Sequence, residues 1–138
     1  MVKTRVSTHA KINRLAIKTA ITDIFGRTLT LRRVTRTVDA FGQLSARTTS
    51  DTSFIGDLQF GLDLDQRYIS SGIVEVGEAV LFTSPDALST LPKPQDRIVD
   101  GSRLWEIMDI IEAPQLGGTT VHYSYRCRRL IESGDQTE

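Results

Sequence analysis

The chain has 138 residues, 39% of them hydrophobic and 25% charged, and its 17 basic and 17 acidic side chains leave a formal net charge of zero. That is one domain's worth of chain, able to bury roughly two-thirds of its unfolded surface, and no apolar run approaches the ~20 residues that cross a bilayer. A single cysteine, Cys127, excludes an intramolecular disulfide and a cysteine-cage zinc site.

The neutral total conceals a split. Residues 1–36 carry nine Lys or Arg against Asp23 alone, whereas residues 37–112 carry thirteen Asp or Glu against five Lys or Arg. Such a chain either presents a basic end to the acidic body of another copy or to DNA, or holds two solvated faces that attract each other within one molecule. Met1 to Ala10 is basic and lacks the apolar stretch of a signal peptide. The expectation is a soluble chain made in a reducing cytoplasm.

In chain order, a basic arm (1–9) precedes an amphipathic helix (10–25) that Ser7 or Thr8 could cap. Ile17, Ala20, Ile21 and Ile24 recur at helical spacing on one stripe, Lys11, Arg14 and Lys18 form a basic stripe beside it, and Gly26 stops it. No other helix is predicted. From Arg27 the period changes to two and β-branched residues take over. Thr28–Val38 reads as a strand with Leu29 and Leu31 on one side and Val34 and Val38 on the other, a phase switch near Arg33 that suggests a bulge or a strongly coiled strand. Asp39-Ala-Phe-Gly42 signals a turn, and a polar strand runs from Gln43 into Phe54 and Ile55. Residues 56–71, punctuated by Asp57, Gly61, Asp63 and Asp65, read as a long loop or hairpin extension rather than core strand. Ile73–Val76 and Ala79–Thr83 read as short strands, and Ser84 to Gln95, with three of the four prolines, as an irregular connection. Arg97–Val99 and Leu104–Ile111 flank the turn Asp100-Gly101, and Gly117-Gly118 turns the chain into Thr119–Leu130. The pattern predicts a mainly β fold: a small antiparallel barrel over 26–131, of about six or seven strands, with one N-terminal α-helix and a polar tail at 132–138.

The usual catalytic constellations are missing. His9 and His122 stand alone, with no nucleophile–base or metal-ligand spacing. Gly56-Asp-Leu-Gln-Phe-Gly61 has the glycine spacing of a phosphate loop but is followed by Leu62-Asp63 instead of Lys and Ser or Thr. Asp57, Asp63 and Asp65 lack the downstream bidentate carboxylate of a calcium loop, and Arg67 sits among them. Along Tyr123-Ser-Tyr-Arg-Cys-Arg-Arg129 the aromatics interleave with arginines as on single-strand-binding surfaces, yet strand geometry puts Tyr123, Tyr125 and Cys127 on one face and Arg126 and Arg128 on the other. The tyrosines are therefore assigned to the core, with Trp105, Ile107 and Ile111 facing Val121 and Tyr123. Neither enzyme activity nor a cofactor or metal is expected.

Three stretches carry a resemblance: Gly72-Ile-Val-Glu-Val-Gly-Glu-Ala-Val-Leu-Phe82, Pro94-Gln-Asp-Arg-Ile-Val-Asp-Gly-Ser-Arg-Leu-Trp-Glu-Ile107, and Gly117 to the ending Arg126-Cys-Arg-Arg129. With Leu29-Thr-Leu-Arg-Arg-Val34 and Asp39-Ala-Phe-Gly42 as opening strand and turn, residues 27–130 resemble the head–tail joining proteins of tailed bacteriophages, also called head completion, head closure or stopper proteins. The motifs are turn glycines and core apolars, and the isoleucine helix departs from the pattern. The resemblance implies a non-enzymatic virion protein of the neck. It would form a homo-oligomeric ring (hexamer or dodecamer) that docks on the portal–adaptor ring and helps retain packaged double-stranded DNA without sequence specificity. It would also offer a platform to the tail terminator or tail tube. Within that setting Asp57, Gly61, Asp63, Asp65 and Arg67 are channel-loop candidates whose carboxylates would repel phosphates, or they belong to a peripheral loop that touches a neighbouring copy or the adaptor. Lys11, Arg14, Ile17, Lys18, Ile21, Ile24, Arg32, Arg33 and Arg36 are candidates for the interface with the next copy or the adaptor. Two other readings compete: a tail terminator or tail completion protein of the virion, and an OB-like nucleic-acid-binding module using the basic arm.

Overall fold

The computed structural model describes residues 15–130. Among them, six strands close an antiparallel barrel in the order β1-β2-β3-β8-β5-β4, with β4 returning to β1. The strands are β1 (Arg27–Val38), β2 (Leu44–Phe60), β3 (Glu78–Thr83), β4 (Arg97–Asp100), β5 (Arg103–Glu112) and β8 (Tyr123–Leu130). A two-stranded hairpin of β6 (Gln115–Leu116) and β7 (Thr119–Thr120) stands on the connection from β5 to β8. The expected small antiparallel barrel is thus the observed one.

Period-two alternation drives the closure. Leu29 and Leu31 of β1, Ala79 and Leu81 of β3, Trp105 and Ile107 of β5, and Tyr125 and Cys127 of β8 all point inward and are almost fully buried, with Phe54, Leu58, Leu88 and Ile98 filling the rest. Each leucine, isoleucine or phenylalanine among them contributes about 1.5–3 kcal/mol by leaving water, and Ala79 well under that. Register shifts in β5, after Ile107 and again after Ile110, break the alternation. They set Asp109 opposite Arg126 on the outer wall, 3.2 Å away, and send Ile111 to a second cluster outside the barrel instead of the Trp105 core expected for it.

That second cluster explains where residues 61–77 go. Only one part of the predicted 56–71 extension is loop: Gly56 to Phe60 is the barrel end of β2, with Gly56, Asp57 and Leu58 buried. A Cβ on Gly56 would press on the Phe54 ring at 2.9 Å and Leu81 at 3.2 Å, so glycine is what lets β2 approach the wall. The chain then makes a 3-10 turn, Gly61–Asp63, and a short helix missed by the sequence reading (α2, Gln66–Ser70). Leu64 and Val74 bury themselves against Val80 with Tyr68, Ile69, Phe82 and Ile111, so the segment lies as a flap on the outer face of β3. The strand expected at Ile73–Val76 is instead the flap's return turn, where Val74 N–H donates to the Tyr68 carbonyl at 3.1 Å.

The N-terminal helix (α1) is described over 15–24 and ends in π geometry at Ala20–Ile24. It packs on β2 and β3 of its own barrel through Ile21, which is buried, and Lys18 pairs with Asp86 at 2.6 Å. The expected stop at Gly26 acts by close approach rather than by a left-handed φ: a Cβ there would overlap the Ile21 carbonyl oxygen.

Candidate functional site

β1 and β2 are far longer than the barrel needs. β1 pairs with β4 only over Thr30–Arg32, and β2 with β3 only over Asp57–Phe60, whereas β1 and β2 pair with each other from Arg27↔Gly56 to Val38↔Leu44. Beyond Arg33 on one strand and before its partner Ser50 on the other, the two therefore run as a projecting ribbon. Its composition fits: Thr35, Thr37, Thr48 and Thr49 give β-branched polar positions that ask for no core. The ladder is unbroken through Arg33 and shifts between Thr37 and Val38, so the phase switch expected near Arg33 is absent; Val34 and Val38 differ from Leu29 and Leu31 because they have left the barrel.

The ribbon's tip is the predicted turn, held by the Asp39 carboxylate, which accepts from Phe41 N at 2.9 Å and Gln43 N at 3.0 Å, while Gly42 takes φ +81°. This turn presents Phe41, 89% exposed, between the cross-strand neighbours Val38 and Leu44, both also exposed. The sequence reading assigns this stretch only as a turn and gives Phe41 no role; the signal that points to it is a phenylalanine inside a four-residue turn.

A network pins the ribbon's root. Asp96, buried, accepts from Lys93 N at 2.9 Å and Val34 N at 3.3 Å, and its carboxylate lies 3.8 Å from the Arg33 guanidinium. Val34 lies just past the last β1–β4 pairs, so the Asp96 side chain takes over where that strand stops. Gln95 holds a left-handed φ of 78° here, and its N–H donates to the Ile107 carbonyl. Arg33 also donates to the carbonyls of Thr90 and Leu91, Arg36 donates to Gln95 Oε1 at 3.1 Å, and Arg32 forms a two-point pair with Asp51 across the ribbon at 3.0 and 3.2 Å. That pair pulls Asp51 below the usual carboxylate range. The three arginines expected at an interface are thus each committed within the chain.

The other expected residues divide. Lys11 and Arg14 lie outside the described residues, as do the basic arm and the polar tail. Ile17 is half-buried, Ile21 is spent on the barrel, and Lys18 is held by Asp86, whose carboxyl the ammonium lowers. Ile24 is exposed beside Phe25. Of the channel-loop candidates, Asp57 is a strand residue bonded to Gln59 Nε2 at 2.9 Å, and burial raises its pKa. Asp65 caps α2 through Arg67 N at 3.0 Å and pairs with the Arg67 guanidinium, which lowers its pKa. Gly61 (φ +62°) opens the 3-10 turn, and Asp63 and Leu62 there are exposed. Asp57 and Asp63 come together in a groove of about 360 Å³ with Ile24, Phe25 and Arg27, at the barrel end of the β1–β2 pair; Asp65 and Arg67 line a neighbouring one that shares Gln59.

On the barrel wall, Arg126 lies 3.2 Å from Asp109 and 3.6 Å from Glu78, and Arg128 pairs with Glu106 at 2.8 Å, so these two guanidiniums already face acids. The Cys127 thiol is fully enclosed and burial pushes its pKa up, which leaves it unreactive. No group of three or more His, Cys, Asp or Glu suited to a metal ion occurs among the described residues.

No family model matches the chain, and no curated protein matches it in sequence. Among solved structures, it is similar to protein SF1141 from Shigella flexneri 2a, at 20% identity and a TM-score of 0.53, over 81% of this chain and all of that one. It is also similar to a chain of the virion of a native gene transfer agent particle, at 17% identity and a TM-score of 0.47, over 76% of this chain and 94% of that one. At 20% identity the likeness to SF1141 is one of fold.

Proposed function

We propose that the chain is a structural component of a virion neck: a ring-forming head-closure protein that docks on a portal–adaptor ring, helps retain packaged DNA and receives the tail. The observation that carries this reading is the projecting ribbon with its exposed apolar tip, a docking device on a barrel whose interior is filled by side chains. The segments that resemble head–tail joining proteins agree with it, because they supply β3, β8, β5 and β4, four consecutive strands of the wall. The lining role falls to the flap at 61–71, with Leu62 exposed at its 3-10 turn, rather than to the whole 56–71 span. Function here is mechanical: exposed apolar groups give adhesion, carboxylates facing phosphates give a non-adhesive channel, and no bond is made or broken.

The test is to mix the purified full chain with portal–adaptor complexes and weigh the product by native mass spectrometry. Addition of an integral ring of copies is expected. No addition, or salt-dependent binding of free DNA by the chain alone, would overturn the reading.

A further inference from the structure

We propose that the ribbon tip is a knob that seats in the groove at the opposite end of the same two strands on a second copy, joining copies head to tail; this deepens the ring-forming reading above and rests on it. The knob is Phe41 flanked by Val38 and Leu44, and the Asp39 turn fixes it before any partner arrives, so little ordering cost remains to be met on binding. The socket is the groove lined by Ile24, Phe25, Leu58, Asp57 and Asp63, where Ile24 and Phe25 stay more than half exposed.

A chain cannot satisfy itself. Arg27, at the groove, and Val38, at the tip, are the two ends of β1, about 35 Å apart along a strand rising ~3.4 Å per residue. The occupant is therefore another copy, and charge selects it: Arg36 and Arg47 outweigh Asp39 over residues 34–49, while Asp57 and Asp63 face the groove, whose own Arg27 is committed to Asp100 at 2.6 Å. Two different patches meeting in this way make a heterologous contact, the kind that closes into rings.

The test is oxidative cross-linking of the full chain carrying Ala40→Cys together with Leu62→Cys, exposed neighbours that leave Phe41 and Asp63 in place; native Cys127 is buried and does not compete. The double variant should give a ladder of trimers and larger species, whereas each single variant stops at dimers; dimers alone from the double variant overturn the proposal. As a second measurement, Phe41→Asp, at an exposed position, should keep the melting temperature yet weaken self-association at least tenfold by sedimentation. Unchanged association, or a wild-type chain that stays monomeric at every concentration, also overturns it. A ladder without addition to portal–adaptor complexes sinks the neck reading and leaves this contact standing; addition without a ladder does the reverse.

Discussion

Replacing Asp96 by Ala tests whether the root of the ribbon is held by one carboxylate. The substitution removes the acceptor of two backbone donors, Lys93 N at 2.9 Å and Val34 N at 3.3 Å, and takes the charge away from Arg33 at a site only 5% exposed. A hydrogen bond to a charged group is worth about 1.5–3 kcal/mol. The Lys93 bond has good length and the Val34 bond is long, so the first counts at mid-range and the second at the bottom of it. The sum is about 3–4 kcal/mol, or roughly 10–15 °C in melting temperature for a domain of this size. Asp96→Asn keeps one acceptor and the shape, and should lose about half as much, on the order of 2 kcal/mol. Urea and thermal unfolding give the global figure, and hydrogen exchange gives the local one: the amides of 33–38 and 44–50 should exchange faster while those of β3 and β8 follow the global change. A melting temperature for Asp96→Ala within about 2 °C of wild type would refute the reasoning.

Three further outcomes follow from other parts of the fold. Gly26→Ala puts a methyl into the Ile21 carbonyl and 2.9 Å from Ile55 Cγ2, so it should cost about 2–3 kcal/mol and undock α1, seen as a lower melting temperature with reduced helical circular dichroism. The Tyr125 hydroxyl is buried with the Thr83 side chain as its polar neighbour and no hydrogen bond of good geometry, so Tyr125→Phe should change stability by less than ~1 kcal/mol in urea unfolding. Burial also pushes Tyr125 up to about 12, against ~10 unfolded; the stability this supplies is complete below pH ~10 and is lost as pH rises through 12. Tyr125→Phe should therefore move alkaline unfolding upward, and an unchanged alkaline midpoint would count against that assignment. Burial likewise raises Asp57, which favours its protonated form in the fold; Asp57→Asn should unfold at higher urea than wild type at pH 7, with the gap closing as pH falls below ~4.

The barrel was legible because its signals are local and periodic. Leu29 and Leu31, Ala79 and Leu81, and Tyr125 and Cys127 alternate, and Asp39, Gly42, Gly101, Gly117 and Gly118 mark turns that do turn, the glycines among them with φ between 58° and 81°. The arginines of β8 could be assigned to the outer wall from parity alone. What escaped was set by register and by tertiary contact. Whether Leu58 belongs to a loop or a wall depends on which strand pairs with it, and its alternation with Phe60, Leu62 and Leu64 continues unbroken through the point where β2 ends and the 3-10 turn begins. Ile111 changes faces through two register shifts that leave no mark in composition. The partners of the interface candidates were hidden for a different reason. A basic stripe looks free in sequence, yet Lys18, Arg32, Arg33 and Arg36 meet partners 19 to 68 residues away, which charge counting cannot see. Phe41 and Asp96 were missed for one shared reason: each acts through geometry at a single residue, with no periodic neighbour to announce it.

β2 runs seventeen residues without a break, from the knob's Leu44 to Phe60 in the wall. A tug on the protruding end thus travels as tension along one covalent backbone straight into the cylinder. Because the tip turn hands the same pull to β1, the rungs that resist are those of β2 to β3 and of β1 to β4 at the base, strained sideways together rather than peeled one after another, so failure requires many to let go at once. Such a subunit is built as a tie rod, and whatever grips its outer end pulls on the stiffest part of the molecule rather than on a hinge.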